Sequence, residues 1–181
     1  MDNLKMFSLA LILFGVASAC LFFYILACMK VSYIEKAEKI PRNFTLGMIF
    51  GFAAVCWCVP QAIAIFSAGM TPIIYWVAVI AFVVGILFLD YLFARAFAGF
   101  IILLSHYFLA ESFAADLHLL WLFSSLCVIM GVFGIVIGGV PHLMRDLLRN
   151  ICRRPVWKIL MCIVAASYSI LGLVTGIVLL I

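Results

Sequence analysis

Long runs of apolar residues alternate with short polar interruptions along the chain. A helix rises about 1.5 Å per residue, so roughly 20 apolar residues cross a hydrocarbon core of about 30 Å. The strands of membrane barrels need only about 9–11 residues and alternate in polarity, which these runs do not. The runs predict six spans, at about residues 6–29, 44–66, 73–89, 96–110, 119–140 and 159–181. We therefore expect an all-α integral membrane protein, a six-transmembrane-helix bundle that forms a single transmembrane domain over residues 1–181.

The first apolar run has two possible interpretations, a cleavable signal sequence or a membrane span. Lys5 precedes it, and Ala17-Ser18-Ala19 supplies small residues of the kind that cleavage needs. The run continues to Met29, and its length of about 24 residues is sufficient to span the bilayer. We expect it to remain in place as the first helix.

The interruption between the third and fourth predicted spans is the least marked. Asp90 and Arg95 bound a segment with no Gly, Pro or Asn to favour a turn. Without a break, residues 72–113 would form a helix of about 63 Å, roughly twice the thickness of the hydrocarbon core. A break is therefore expected at these two charges.

Basic residues are unevenly distributed between the predicted loops. Of the 11 Lys and Arg residues, ten lie in the polar segments 30–43, 90–95 and 141–158, namely Lys30, Lys36, Lys39, Arg42, Arg95, Arg145, Arg149, Arg153, Arg154 and Lys158. Lys5 is the exception. Because short cytoplasmic loops are enriched in Lys and Arg, these segments are expected in the cytoplasm, with the N and C termini non-cytoplasmic. The expected location is a bacterial inner (cytoplasmic) membrane.

Composition agrees with a membrane environment and argues against several kinds of site. The chain is 70% apolar and 10% charged, whereas soluble domains average roughly 45–50% and about 25%. Its seven cysteines lie in apolar runs or beside the predicted cytoplasmic segments, where disulfides are disfavoured. The sequence contains no recognisable metal, cofactor or nucleic-acid motif, so we expect no metal, no cofactor and no nucleic-acid partner.

The segment 141–158 predicts an amphipathic helix. Its arginines are Arg145, Arg149, Arg153 and Arg154. The first three recur every four residues, and apolar side chains recur at the same spacing about 200° round the helix until Pro155 ends it. Near a membrane surface each basic residue contributes roughly 1 kcal/mol of attraction to anionic lipid. Two interpretations stay open: a loop that only orients the protein, or a docking site for an anionic lipid headgroup or an acidic partner.

Few polar groups fall inside the predicted spans, and each is a candidate functional residue because burying it in lipid is costly. Gln61, His106 and Glu111 could form an intramembrane polar site in the outer half of the bundle. His106 would exchange protons near neutral pH, and Glu111 would compensate a cation. The two residues lie about 140° apart on an ideal helix, so the alternative is a histidine bonded to a neighbouring helix and an interfacial carboxylate.

Glycine pairs at four-residue spacing indicate where helices approach closely. The pairs are Gly47 with Gly51, Gly134 with Gly138, and Gly172 with Gly176. They are expected to pack helices within the bundle, or alternatively to contact another subunit.

These features favour a non-enzymatic multi-pass membrane protein, either a subunit of a larger membrane complex or a small transporter component. Its expected partners are membrane lipids, with anionic headgroups at the cytoplasmic face, and other membrane subunits or copies of itself. The alternative is a membrane-embedded enzyme acting on a lipid, in which the arginines of 141–158 hold a phosphate and Asp90, His106 or Glu111 supplies acid–base chemistry. Their predicted depths argue against it, because Asp90 and the arginines lie toward one face of the membrane and His106 and Glu111 toward the other.

Overall fold

The computed structural model describes residues 2–65, 71–88, 90–115 and 120–180, and these residues are helical apart from short connections. The α-helices are α1 (Asp2–Cys28), α2 (Ile34–Lys39), α3 (Phe44–Ile65), α4 (Thr71–Phe88), α5 (Leu92–Ala114), α6 (Leu120–Gly139), α7 (His142–Arg153) and α8 (Pro155–Leu180). Short 3-10 turns, Val31–Tyr33 and Ile40–Arg42, flank α2. The described part of the chain contains no β-strand.

The helices divide by length and hydropathy into candidate spans and shorter elements. Among the described residues, four helices are long and apolar enough to cross a membrane: α1 (Leu4–Cys28), α5, α6 (Trp121–Gly139) and α8. A fifth candidate arises if Val31–Arg42 and Phe44–Pro60, which meet at a bend of 45°, are counted as one broken span. In α4, the apolar segment Thr71–Leu87 is shorter. The all-helical fold is therefore confirmed for the described residues, with four to five candidate membrane spans, and the bundle of six spans stays a prediction.

The structure places the break between α4 and α5 inside the expected segment, close to its first charge. Helix α4 ends at Phe88, Asp90 and Tyr91 form a turn, and α5 begins at Leu92. Tyr91 adopts φ 57°, the left-handed region that side chains other than Gly rarely enter. Arg95 is therefore part of the first turn of α5 and not of a loop.

Two other expectations about boundaries are corrected. Pro155 does not simply end the amphipathic helix; it begins α8, where a missing N–H is tolerated because the first helical N–H groups have no intrahelical acceptor. The polar segment 30–43 is not an open loop but largely helical, and Ala37 of α2 is fully buried against apolar residues of other helices.

The chain folds into two compact units. Unit 1 comprises Met1–Ala37, Phe108–Cys127 and Asp146–Ile181, and unit 2 comprises Glu38–Tyr107 and Val128–Arg145. The chain passes between the units several times, so neither is a continuous segment. The single transmembrane domain expected from the sequence stays a prediction.

Unit 1 is built around an antiparallel contact between α1 and α8. Ser8 near the start of α1 contacts Gly176 near the end of α8, and Gly15 contacts Gly172 in the middle. The glycines let the two backbones approach directly, since a Cβ built on Gly172 would lie 3.1 Å from the Gly15 Cα. Phe108 packs on this pair, with its ring centroid 5.1 Å from that of Phe14.

Unit 2 contains a close contact of Gly47 with α5 and an aromatic cluster. A Cβ built on Gly47 of α3 would lie 2.8 Å from the backbone N of Phe93 in α5. One turn further along α3, the Phe50 ring packs edge-on against three phenylalanines of α5, namely Phe93, Phe97 and Phe100. Such edge-to-face pairs contribute roughly 0.5–1.5 kcal/mol beyond the burial of their area.

Candidate functional site

The three residues of the expected intramembrane site are not joined by any described interaction. The side chain of Gln61 lies outside the described residues, although its backbone continues α3. His106 is exposed and Glu111 is half-buried, and both belong to α5. No hydrogen bond or ion pair links these two side chains in the described structure. The polar site therefore stays a prediction without geometric support.

The amphipathic helix predicted in 141–158 is present as α7, and part of its apolar side packs on protein. In unit 1, Leu147 and Leu148 pack against a buried apolar cluster. The cluster consists of Ile25, Met29, Ala37, Ile151, Cys152 and Cys162. These residues of α7 are therefore fixed by contacts with α1, α2 and α8, whereas a helix lying on the bilayer would bury them in lipid.

The arginines of the predicted docking site differ in exposure. Arg145 and Arg149 are half-buried, and each interacts with other groups of the protein. Arg153 ends α7 and Arg154 connects α7 to α8, and both are exposed. Of the four, Arg153 and Arg154 are therefore the more accessible to an external anion.

Lys158 has a role that the sequence did not reveal. Its Nζ donates hydrogen bonds to the backbone oxygens of Leu26, at 3.0 Å, and Met29, at 3.1 Å. The last carbonyls of a helix lack intrahelical donors and carry the negative end of the helix dipole. Lys158 therefore caps α1 with a positive charge. The sequence showed only a basic residue at the start of the last span, because the carbonyls that it binds lie 132 and 129 residues away.

A buried thiol lies beside this cap. The Cys152 Sγ is 3.6 Å from the Met29 Sδ, and Cys152 is buried. Burial raises the pKa of the Cys152 thiol, and the positive charge of Lys158 opposes this shift in part. The thiol is therefore held in its neutral, poorly nucleophilic form, which is typical of a structural cysteine.

A second polar contact holds the α4–α5 turn in unit 2. Arg42 donates a hydrogen bond of 2.7 Å from Nη2 to the hydroxyl of Tyr91, and its guanidinium carbon lies 4.8 Å from the centre of the Tyr91 ring. The hydrogen bond to Tyr91 raises the pKa of Arg42 above its ordinary value. Beside Arg42, the Asn43 side chain accepts a hydrogen bond from the Leu46 N–H and caps α3. The contact between Arg42 and Tyr91 stabilises an unusual turn, so Arg42 has a structural role.

Polar side chains within the candidate spans bond mainly to backbone carbonyls. Ser8 donates to the oxygen of Gly176 at 2.6 Å, and Tyr168 donates to the oxygen of Leu126 at 2.8 Å. Two buried side-chain atoms, Arg95 Nε and Ser124 Oγ, have no hydrogen-bond partner. The described residues include no group of three or more His, Cys, Asp or Glu side chains that could hold a metal ion. The polar groups that the structure brings together thus serve helix packing and capping.

Comparison with known proteins adds no family to this picture, since no protein-family model, curated protein or solved structure matches the chain.

Proposed function

We propose that this chain is a non-enzymatic, six-span membrane protein that acts as a subunit of a larger membrane complex or as a small transporter component. The observation that carries the proposal is the use of its intramembrane polar groups. Ser8 and Tyr168 are bonded to helix backbones, and the described residues include no group of three or more His, Cys, Asp or Glu side chains that could hold a metal ion. Span polar groups that are used for helix packing support a protein that acts through its contacts with other chains.

The direction of the terminal helices supports an even number of crossings. Helices α1 and α8 are antiparallel neighbours and both are long enough to span, so if both cross the membrane, the start of α1 and the end of α8 would lie on the same side. Helices α5 and α6 add two crossings. The remaining pair, α3 and α4, therefore either crosses twice, which makes six spans, or enters and leaves on one side, which makes four.

The lengths of α3 and α4 favour six membrane crossings over four. The 22 residues of α3 extend about 33 Å and the 18 residues of α4 about 27 Å, close to the hydrocarbon thickness of about 30 Å. With six crossings, ten of the eleven basic residues lie on one side, which is the bias expected for cytoplasmic loops. We therefore propose a bacterial inner membrane location with both termini outside.

Accessibility of engineered cysteines distinguishes six crossings from four. In a cysteine-free background, Ser67→Cys reports the connection between α3 and α4, and Lys36→Cys reports the segment before α3. With six crossings, a membrane-impermeant maleimide labels the Ser67→Cys variant in intact cells and the Lys36→Cys variant only after permeabilisation. Labelling of both variants only after permeabilisation would indicate that α3 and α4 enter and leave on the cytoplasmic side.

Assembly with other chains is tested by purification. The tagged chain is extracted in a mild detergent, and native mass spectrometry measures the masses and stoichiometry of everything that remains bound. We expect one or more further membrane chains, or further copies of this one, in fixed ratio. A harsher detergent should release them and provides the control. A monodisperse single chain in the mild detergent would contradict the subunit proposal.

A further inference from the structure

An open apolar groove of about 340 Å³ lies in unit 1 between α1 and α8. Helix α1 contributes Phe22 and Leu26, and α8 contributes Ile159, Cys162, Ile163 and Ala166. The lining surface is apolar throughout, so Lys158, which also borders the groove, presents its hydrocarbon stem there. The residues from Lys158 to Ala166 extend about 12 Å along α8. The apolar lining and the length of the groove therefore suit part of an acyl chain.

Positive charge is concentrated at one end of this groove. The Lys158 ammonium bonds to two backbone oxygens, which are neutral, and no carboxylate within the described structure pairs with it. The exposed Arg154 precedes it by one turn, and the Lys158 N–H bonds to the Arg154 oxygen at 3.2 Å. Trp157 is 37% exposed at the same level, as expected for an aromatic residue at the membrane interface. If Arg154, Trp157 and Lys158 lie at headgroup level, the groove would extend from there toward the hydrocarbon core.

We propose that this groove binds an anionic phospholipid, with one acyl chain along α8 and the phosphate at Lys158 and Arg154. The arrangement of the site supports this occupant. Positive charge lies at one end of an apolar groove, and a phospholipid carries an anionic group directly before an apolar chain. A transmembrane helix from a partner would need a carboxylate at the corresponding position to complement the same charge. The inference depends on the proposed orientation only for the leaflet that supplies the lipid, and it does not depend on membership of a complex.

The charge part of the site is tested with lipid of defined headgroup. Native mass spectrometry of the full-length protein measures binding of phosphatidylglycerol and of phosphatidylcholine with identical acyl chains. We expect one phosphatidylglycerol to be retained at concentrations at which phosphatidylcholine is not. Lys158→Gln should weaken phosphatidylglycerol binding about fivefold, as expected for one basic residue near the headgroup. Lys30→Gln, which removes an exposed lysine outside the groove, should leave binding unchanged.

The groove itself is tested without altering the cap of α1. Ala166→Phe places a ring in the groove and leaves Lys158 and Arg154 intact, so phosphatidylglycerol binding should fall at least fivefold. Ala110→Phe, at an exposed position of α5, is the matched control and should bind as the parent does. Far-UV circular dichroism and the melting temperature of each variant confirm that it is folded.

Three results would overturn the proposal: equal retention of the two lipids, equal losses in Lys158→Gln and Lys30→Gln, or normal binding in Ala166→Phe. The first two would indicate only diffuse attraction, and the third would place the lipid elsewhere. Partner chains appear in the same spectra at much larger mass differences. Failure of lipid binding is therefore distinguishable from failure of the subunit proposal.

Discussion

The α1–α8 contact of unit 1 and the α3 contacts of unit 2 both use a G-x-x-x-G pair, but the glycines face different surroundings. A Cβ on Gly172 or Gly176 in α8 would approach backbone atoms of α1 to about 3.1 and 3.0 Å. In α3, a Cβ on Gly47 would also meet backbone, but one on Gly51 would meet the Phe82 ring at 3.3 Å. A ring can shift and a packed backbone cannot. The same sequence pattern therefore encodes contacts that differ in how well they tolerate a side chain in place of glycine.

The largest predicted effect is on the α1–α8 contact. Gly172→Leu places a side chain where the Leu11 oxygen and the Gly15 Cα already lie within 3.1 Å of the Cβ position, so the helices must separate. We expect a loss of about 3 kcal/mol or more in the free energy of unfolding, at the upper end of overpacking effects. Steric trapping in lipid micelles measures it. Gly99→Leu is the control, because among the described residues nothing beyond the backbone of its own helix and its chain neighbours lies within 4 Å of its Cβ position. Equal losses in the two variants would refute this account.

A smaller difference is expected between the two glycines of α3. Gly47→Ala brings a methyl group to 2.8 Å from the Phe93 N and the Leu92 Cγ, and we expect a loss of about 1–2 kcal/mol. The methyl group of Gly51→Ala has one contact shorter than 3.5 Å, with the edge of the Phe82 ring, which can shift. The free energy of unfolding is therefore expected to change by no more than about 0.5 kcal/mol. The two free energies of unfolding, measured in the same micelles, test whether backbone contact decides the cost. A larger loss for Gly51→Ala would reverse the comparison.

A buried hydroxyl adds to the α1–α8 contact. Ser8→Ala removes the hydrogen bond to the Gly176 oxygen and leaves that carbonyl with its intrahelical partner. Hydrogen bonds between membrane helices contribute about 0.6 kcal/mol on average, so a loss of that order is expected. Ser167→Ala is the matched control, because its hydroxyl bonds to the Val164 oxygen within the same helix. If both substitutions had the same effect on the free energy of unfolding, the bond between helices would contribute nothing specific.

Much of this helical organisation could be predicted from the sequence, because long apolar runs have few alternatives to helix in a membrane. The predicted boundaries failed where charges were interpreted as loop residues. Arg95 and Glu111 lie inside α5, since charged side chains near helix ends can extend toward the interface while the backbone stays helical. Hydropathy also could not settle the count of crossings, because α4 is close to the minimum spanning length.

The polar contacts were harder to predict, because their partners are distant in sequence. The spacing of Arg145, Arg149 and Arg153 correctly predicted an amphipathic α7, yet nothing local indicated that Leu147 would pack on a buried cluster. The two carbonyls that Lys158 caps belong to the first helix and the residue that follows it. Local patterns therefore identified the helices, and the tertiary contacts determined which charges remain accessible.

The smallest predicted change concerns the Tyr91 turn beside the α3–α5 contact. Tyr91→Gly relieves the left-handed backbone, which costs roughly 1–2 kcal/mol for a residue with a Cβ, but it also removes the ring that Arg42 holds. These effects oppose each other, so the melting temperature should change little. In an Arg42→Gln background the ring is already released, and Tyr91→Gly should then raise the melting temperature. A double-mutant cycle compares the two backgrounds, with Arg42→Gln alone as its reference. If the effect of Tyr91→Gly were the same in both, Arg42 would not be what holds tyrosine in this turn, and the Gly47 contact and the Phe50 ring would have to position α5 without it.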